Sequence, residues 1–227
     1  MAEVVAIAIT FPEKRSSAYA MSPQAKRPRA TIVMTLDSKR EITYTVPVRV
    51  ARLFAQDEPE LPCLFEHARA LLLGLEERTC MAVLIEMLSR RDHSIDEASR
   101  KLSLAGYFPS SVESAITRAQ SYGYLNDATF AQRFVSSRKA RGWGRRKIEQ
   151  ELRHKGVDVD AIPGYPDDFF SVDDEVERAR AVLARKHIPE TRAFEKLVKH
   201  LMGKGFSYGA ASDAVKERLA NDTDQLL

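Results

Sequence analysis

The chain lacks the features that mark several large classes of protein. Only two of its 227 residues are cysteines, Cys63 and Cys80, which is too few for the disulfide framework of a small secreted domain. No apolar run approaches the ~20 residues that a membrane-spanning helix requires. The first ten residues contain Glu3 and no basic residue, so they match a signal peptide poorly. We therefore expect a cytoplasmic protein in which both cysteines are small buried hydrophobic residues.

Motifs for catalysis and for cofactor binding are also absent from the sequence. It contains no glycine-rich phosphate loop with Lys-Ser or Lys-Thr, no G-x-S-x-G and no H-E-x-x-H. Cys63 and His67 are four residues apart, but two ligands are too few for a structural zinc site. No set of nucleophile, base and orienting group is visible either. We therefore expect no catalytic residue, no cofactor and no bound metal, and an enzyme is the least favoured class of function.

A pattern near fifty residues long recurs three times in the last two-thirds of the chain. Each copy places a leucine four residues before a glycine, and a large apolar residue follows that glycine. Glycine at such a position can take the left-handed conformation that ends a helix. Another glycine, Gly144, lies in a turn of the second copy. We predict a structural role for these signature residues: Leu102, Gly106, Gly144, Leu152, Gly156, Leu201 and Gly205.

The spacing of apolar residues within each copy predicts three short amphipathic helices. In the first copy, Ser94 and Glu97 have the spacing of a capping box at the start of the second helix. In the second copy, Pro163, Gly164 and Pro166 shorten the third helix. Because a helix of about twelve residues is marginal alone in water, we expect stacked copies to share a core. The predicted fold class is mainly α, with three tandem three-helix repeats.

The part of the chain before the repeats has a different pattern. Residues 31–36 and 42–46 are rich in β-branched and apolar residues and flank a turn-like segment, which predicts a β-hairpin. Short helices over 48–54 and 64–73 are expected to cover it, because a lone hairpin is hardly stable. The predicted organisation is a flexible segment over 1–29 that ends in the basic stretch 26–29, the hairpin and short helices over 30–79, repeats over 80–125, 126–171 and 172–221, and a tail over 222–227.

The densest positive charge in the chain lies between Arg138 and Lys147, although the net charge of the whole chain is only +3. The cations before Gly142 stand at a helix C-terminus, where the helix dipole favours them, but those after Gly144 stand at a helix N-terminus, where it does not. This conflict favours a binding role. The sequence leaves three roles equally open for Trp143: it could stack on a base, stack on a partner side chain or anchor the turn. The predicted partner-binding or nucleic-acid-binding residues are Arg138, Lys139, Arg141, Trp143, Arg145, Arg146, Lys147 and Lys155.

Several short segments of the repeats form a recognisable set. Residues 88–94 read LSRRDHS, residues 123–127 read GYLND and residues 144–148 read GRRKI. Together with KGV at 155–157 and KGFS at 204–207, these segments resemble the signatures of the RecX family of regulatory proteins. The resemblance covers about residues 80–219. It is strong as far as Gly156 and looser afterwards.

The resemblance implies both a fold and a function. RecX proteins have tandem three-helix repeats and no known catalytic centre. They bind the filament of the RecA recombinase and modulate it, usually by inhibiting ATP hydrolysis, strand exchange and co-protease activity in recombination, DNA repair and the SOS response. By resemblance we expect this chain to bind the RecA filament and inhibit it. Single- or double-stranded DNA bound without sequence preference is a further expected ligand, with no membrane partner, and we expect a monomer.

Two other functions remain open at this point. Two helices joined by a short turn are typical of a helix-turn-helix, with Arg145, Arg146 and Lys147 at the start of the recognition helix. That interpretation predicts a stand-alone DNA-binding protein. The other interpretation is a helical scaffold with unrelated partners, in which the basic turn, residues 138–147, is a solvated face.

Overall fold

The computed structural model describes residues 2–13 and 28–224, and the chain divides into two compact units between Leu125 and Asn126. The predicted basic stretch at Lys26 and Arg27 and the end of the predicted tail, from residue 225, lie outside the described residues. The first unit contains β1 (Glu3–Thr10), β2 (Arg29–Leu36), β3 (Glu41–Pro47), α1 (Val48–Gln56), β4 (Cys63–Leu64), α2 (Phe65–Arg90), α3 (Ile95–Ala105) and α4 (Pro109–Ser121). The second contains α5 (Asp127–Ala140), α6 (Arg145–His154), a 3-10 turn (Val159–Ala161), α7 (Val172–Ala184), α8 (Ala193–Gly203) and α9 (Tyr208–Asp224).

The first unit begins with a four-stranded antiparallel sheet in the order β3-β2-β1-β4. The predicted hairpin is present as β2 and β3, but the prediction of a flexible segment over residues 1–29 is wrong for Glu3–Thr10, which forms β1. The physical reason is that Val4, Ile7 and Ile9 pack on the same core as the hairpin. These β-branched residues fit a pleated surface, so the signal for β1 was present in the sequence.

Helix α2 is continuous over 26 residues, where the sequence predicted a short helix over 64–73 and a second one that began at residue 80. The predicted boundary between residues 79 and 80 therefore lies inside a helix. Its buried face runs without a break through Leu72, Leu75, Cys80 and Leu84. The only weak point is Gly74, and a single glycine inside a helix costs only about 1 kcal/mol.

The three-helix repeats follow the predicted pattern. The Ser94 hydroxyl accepts a hydrogen bond of 3.1 Å from the N–H of Glu97 and caps α3. The three glycines that end the second helix of each repeat have positive φ values of 99° at Gly106, 74° at Gly156 and 93° at Gly205. The third helix of the second repeat is reduced to the 3-10 turn, as the prolines predicted. Of the helices within the described residues, none has the length and apolar character needed to span a membrane.

A buried or half-buried glutamate caps the third helix in two of the three repeats. Glu76 accepts hydrogen bonds from the N–H of Phe108 at 2.5 Å and from the Ser111 hydroxyl at the start of α4. Glu175 accepts from the N–H of Ser207 at 3.2 Å and from its hydroxyl at 2.9 Å, just before α9. Each glutamate precedes the helix-ending glycine of its repeat by the same number of residues. The two contacts are therefore the same feature of the repeat.

The hydrophobic core is divided among the repeats. Ile148 and Leu152 belong to a cluster of the second repeat, whereas Leu197 and Leu201 belong to a separate cluster of the third. The expectation of a core shared by stacked copies is therefore wrong for these two repeats. They are joined by backbone hydrogen bonds and ion pairs, which do not depend on shared apolar side chains.

Candidate binding surface of the second and third repeats

The predicted basic residues lie on the second repeat, around the turn between α5 and α6. Arg138 and Lys139 are in the last turn of α5, and Arg145, Arg146 and Lys147 form the first turn of α6. The structure therefore brings the predicted residues together around one turn. Their side chains nevertheless have different environments, which separate the cations that hold the turn together from those that face solvent.

The indole of Trp143 is half-buried and packs against the core of the second repeat. Two cations lie against its ring, with the Arg138 guanidinium carbon 5.1 Å and the Lys147 Nζ 4.3 Å from a ring centroid. Arg138 also lies 4.4 Å from the Phe134 ring, and Lys155 lies 5.9 Å from it. Cation–π contacts of this kind contribute about 0.5–1 kcal/mol at exposed sites. Of the roles that the sequence left open for Trp143, the geometry fits best with an anchor for the turn.

Two further cations of the turn form ion pairs within the second unit. Lys139 donates to Asp174 at 2.8 Å, and Arg145 donates to Glu149 at 2.7 Å. Burial opposes ionisation of Asp174, but hydrogen bonds and charges from Lys139 and Arg178 keep the pKa of this carboxyl below its ordinary value. The hydrogen bond to Glu149 raises the pKa of Arg145. The helix dipole does not favour Arg145 at the start of α6, but the carboxylate of Glu149 at i+4 stabilises it there.

Arg141 and Arg146 are the two predicted cations that remain exposed. Within the described part of the chain, neither has a carboxylate in ion-pair range. Exposed cations of this kind contribute little to folding but are available to a partner.

The N-terminus of α6 is covered by the loop between α8 and α9. The N–H of Gly144 donates to the carbonyl of Lys204 at 2.8 Å, and the N–H of Arg146 donates to the carbonyl of Gly205 at 3.0 Å. A methyl group added to Gly144 would overlap the backbone of Gly205 and Phe206. Gly144 is therefore a packing glycine that lets two backbones meet. The signature leucines Leu102, Leu152 and Leu201 are fully buried, so the signature residues have structural positions.

The sequence interpretation missed a group of cations on the third repeat. Arg178, Arg185 and Lys186 of α7 and its C-terminus, and His200 and Lys204 of α8 and its C-terminus, line one concave surface with Lys139 and Arg141. We call this surface the basic groove. The spacing of Arg178 and Arg185, two turns apart on one helix face, was a signal for it. The sequence held no signal that α7 lies beside the end of α5.

The described residues contain no group of three or more side chains able to hold a metal ion. The basic turn and the basic groove contain cations, hydrogen-bond donors and small apolar residues. This chemistry suits the recognition of an anionic partner.

Comparison with known proteins gives one consistent result. A family model described as "RecX, second three-helix domain" matches residues 126–162. The chain is 33% identical over 138 residues to the regulatory protein RecX of Vibrio vulnificus, which covers 57% of this chain and 86% of that protein. It is 32% identical over 149 residues to the regulatory protein RecX of Clostridium botulinum, covering 62% of this chain and 68% of the relative.

Two solved structures share the fold. A crystal structure of regulatory protein RecX superposes with a TM-score of 0.56 at 18% sequence identity and covers 96% of this chain and 100% of that one. A crystal structure of RecX from Lactobacillus salivarius superposes with a TM-score of 0.51 at 22% identity, covering 63% of this chain and 96% of that one. At these identities the structures support the fold alone.

Proposed function

The chain belongs to the RecX family of regulatory proteins, and from this premise we propose that it binds the nucleoprotein filament of the RecA recombinase and inhibits it. The activities that we expect to fall are ATP hydrolysis, strand exchange and co-protease activity. The observation that carries the proposal is the family match over 126–162, because this stretch contains the whole basic turn. The function requires no catalytic centre in this chain.

The exposed cations of the basic turn support an electrostatic contact with the filament. Arg141 and Arg146 are exposed and flank Trp143 in the sequence, and cation–π contacts from Arg138 and Lys147 hold the indole in place. A fixed turn presents its free cations without a large loss of side-chain freedom on binding. Rim charges of this kind increase the association rate and make binding dependent on salt.

The alternative of a stand-alone helix-turn-helix protein is less well supported by the geometry. A recognition helix contacts base edges with residues near its N-terminus. The N-terminus of α6 instead lies against the backbone of Gly205, and the N–H groups of Gly144 and Arg146 donate to carbonyl groups of the protein. That helix end is therefore not free to enter a major groove.

Co-sedimentation with RecA filaments assembled on single-stranded DNA tests the proposal directly. The most informative variant is Arg146→Glu. It reverses an exposed charge, while an acidic residue in the first turn of a helix favours the helix dipole, so the fold is not expected to suffer. The matched control is Arg52→Glu, an exposed arginine of the first unit.

We expect Arg146→Glu to weaken sedimentation with the filament about tenfold, as a charge reversal at an interface rim does, and Arg52→Glu to change it less than about twofold. Equal effects of the two variants would assign the binding to overall charge. A failure of the unaltered chain to sediment with filaments at low salt would contradict the proposed function itself.

A further inference from the structure

The two edges of the sheet in the first unit differ in how well they are protected from pairing with another chain. One edge ends in β4, which is only two residues long, beside an irregularity in β1 between Val4 and Ala6. Very short strands and bulges are common protections of a sheet edge. The other edge is β3, a strand of seven residues that pairs with β2. Among the residues that the structure describes, no strand pairs with the other side of β3.

The hydrogen bonds of the hairpin identify the backbone groups of β3 that point away from β2. The N–H of Leu36 donates to the carbonyl of Arg40 at 2.8 Å, so these two residues form a hydrogen-bonded pair. Such pairs alternate along an antiparallel ladder, and the backbone groups of Ile42 and Tyr44 therefore face β2. The residues whose backbone groups face outwards are Glu41, Thr43 and Thr45. No turn or loop of the described chain supplies a backbone partner for these three residues.

The side chains of β3 do not protect its free edge. A lysine or a proline in the middle of an edge strand is a usual protection. The only charge of β3 is at its first residue, Glu41, and its only proline is at its last, Pro47. The residues between them are β-branched or aromatic and favour strand structure. Thr43 and Thr45 are exposed, whereas Ile42 is half-buried. The free edge therefore has the composition of a strand that pairs on both sides.

We propose that β3 pairs with β3 of a second copy of this chain, as antiparallel strands related by a two-fold axis at Thr43. In this register Thr43 lies opposite Thr43 of the second copy, Glu41 lies opposite Thr45, and Ile42 lies opposite Tyr44. Each hydrogen-bonded pair exchanges two hydrogen bonds, so every free backbone group of Glu41, Thr43 and Thr45 finds a partner. The interface is isologous and joins the two sheets into one. The resemblance led us to expect a monomer, and the free edge of β3 predicts a dimer instead.

The sequence of β3 selects this register over the neighbouring ones. Moving the axis one or two residues towards the C-terminus would place Pro47, which has no N–H, opposite a free residue. Moving it one residue towards the N-terminus would bring in Lys39, which lies in the turn with φ 64°. Moving it one residue further, to Glu41, would place two carboxylates directly opposite each other, which is unfavourable. Only the axis at Thr43 avoids all of these costs.

The side chains are also complementary in this register. Threonine pairs with threonine at the axis, and an aromatic residue pairs with a β-branched one where Tyr44 faces Ile42, both of which are stabilising cross-strand pairs. The Tyr44 ring lies 6.3 Å from the Phe108 ring, and all three of these apolar side chains are half-buried at the border of the core of the first unit. Pairing would extend that core across the axis. A second copy supplies this matching pattern by symmetry, whereas a strand of another protein would have to carry it independently.

Sedimentation velocity of the full chain at about 1–100 μM tests the pairing, because a small interface is expected to dissociate in about this range. We expect the mass to rise with concentration from 25.6 kDa towards twice that value. Thr43→Lys places two cations opposite each other at the axis and should weaken association about tenfold or more. The matched control is Thr10→Lys, which adds the same charge at an exposed position of β1 on the same face of the sheet and should leave association unchanged. Thermal unfolding of both variants establishes that they are folded.

Cysteine cross-linking tests the register. The Cα atoms of a hydrogen-bonded pair are about 5.5 Å apart, within the ~4.4–6.8 Å that a disulfide spans. Thr43→Cys should therefore give a disulfide-linked dimer when oxidised glutathione is added. Thr45→Cys is the control, because its two copies would be offset by four residues, or about 14 Å, along the strands. The unaltered chain, which contains Cys63 and Cys80, gives the background.

Three results would overturn the inference. The first is an unaltered chain that keeps the mass of 25.6 kDa over the whole concentration range. If Thr43→Lys then also reduced binding to RecA filaments, the edge would accept a strand of the filament and not a second copy. The second is a dimer that Thr43→Lys leaves intact, which would place the interface elsewhere. The third is equal cross-linking of Thr43→Cys and Thr45→Cys. Because the mass and cross-linking experiments contain no recombinase, their outcome is independent of the proposed function.

Discussion

Gly144 and Gly205 lie with their backbones in direct contact, although the two residues belong to different repeats. A methyl group on either glycine would overlap the other repeat, at Gly205 and Phe206 in one case and at Lys147 in the other. The hydrogen bonds from Gly144 and Arg146 to the carbonyls of Lys204 and Gly205 cross the same contact. This contact fixes the position of the start of α6 relative to the end of α8.

Gly144→Ala is expected to destabilise the second unit. The backbone at Gly144 has φ −80° and ψ 163°, which alanine adopts without strain, so the cost arises from overlap alone and should be about 1–3 kcal/mol. The control is Gly203→Ala, whose added methyl group meets nothing within 4 Å. Urea unfolding followed by the fluorescence of Trp143, the only tryptophan, reports on this unit. Equal stability of the two variants would show that the repeats do not meet at Gly144.

Glu175→Ala is expected to cost about 1–3 kcal/mol, because it leaves the N–H and the hydroxyl of Ser207 without their acceptor. The neighbouring Glu177→Ala removes the same group from an exposed position, where it pairs with Arg180 at 2.9 Å, and should cost less than about 0.5 kcal/mol. Unfolding in urea, again followed by Trp143 fluorescence, measures both. A smaller loss for Glu175→Ala than for Glu177→Ala would contradict the capping role.

Glu76→Gln is expected to gain stability relative to the unaltered chain as the pH rises. Burial raises the pKa of Glu76 above its ordinary value of 4.5, although the hydrogen bonds from Ser111 and Phe108 oppose the shift. A carboxyl with a raised pKa in the folded state stabilises the fold most below pH 4.5 and loses that contribution as the pH rises through the raised pKa. Glutamine does not titrate, so its contribution to the stability of the fold does not change with pH.

Amide hydrogen exchange of α4, measured for both proteins as the pH rises from the ordinary carboxyl pKa of 4.5, reports the stability of the first unit. As the pH rises, the free energy of unfolding of Glu76→Gln should increase relative to that of the unaltered chain. A difference that stays constant with pH would mean that the carboxyl of Glu76 has the same pKa in both states.

Leu152→Ala should cost about 2–5 kcal/mol as a truncation of a fully buried side chain. Met202→Ala truncates a side chain of the same unit that is 44% exposed, and its cost should stay below about 0.5 kcal/mol. Chemical denaturation of the two variants gives the comparison. Similar denaturation midpoints for the two variants would show that the Leu152 side chain is not part of the core.

Local sequence patterns predicted much of the fold of the repeats. The glycines at 106, 156 and 205 and the cap at Ser94 each act within a few residues of their own position, so periodicity and spacing reveal them. The long-range contacts that the sequence did not reveal share one physical cause, unlike strand β1, whose signal was present in the sequence. The caps from Glu76 and Glu175, the contact of Gly144 with Gly205 and the basic groove join residues distant in sequence, and such contacts leave no periodic trace in the chain.

The candidate site was predicted only in part for the same reason. The sequence correctly located a cluster of cations around Trp143, but it could not show that Lys139 pairs with Asp174 in the next repeat at 2.8 Å. It therefore treated eight residues as one binding set. The structure separates two exposed cations, Arg141 and Arg146, from cations that stabilise the turn, and it adds the cations of α7 and α8.

The central claim is that this chain regulates the RecA filament, and the most direct measurement is the DNA-dependent ATPase rate of RecA titrated with this protein. We predict a rate that falls as the protein concentration rises and approaches a plateau, with Arg146→Glu requiring about tenfold more protein for the same effect. An ATPase rate that stays unchanged at saturating protein and low salt would contradict the account.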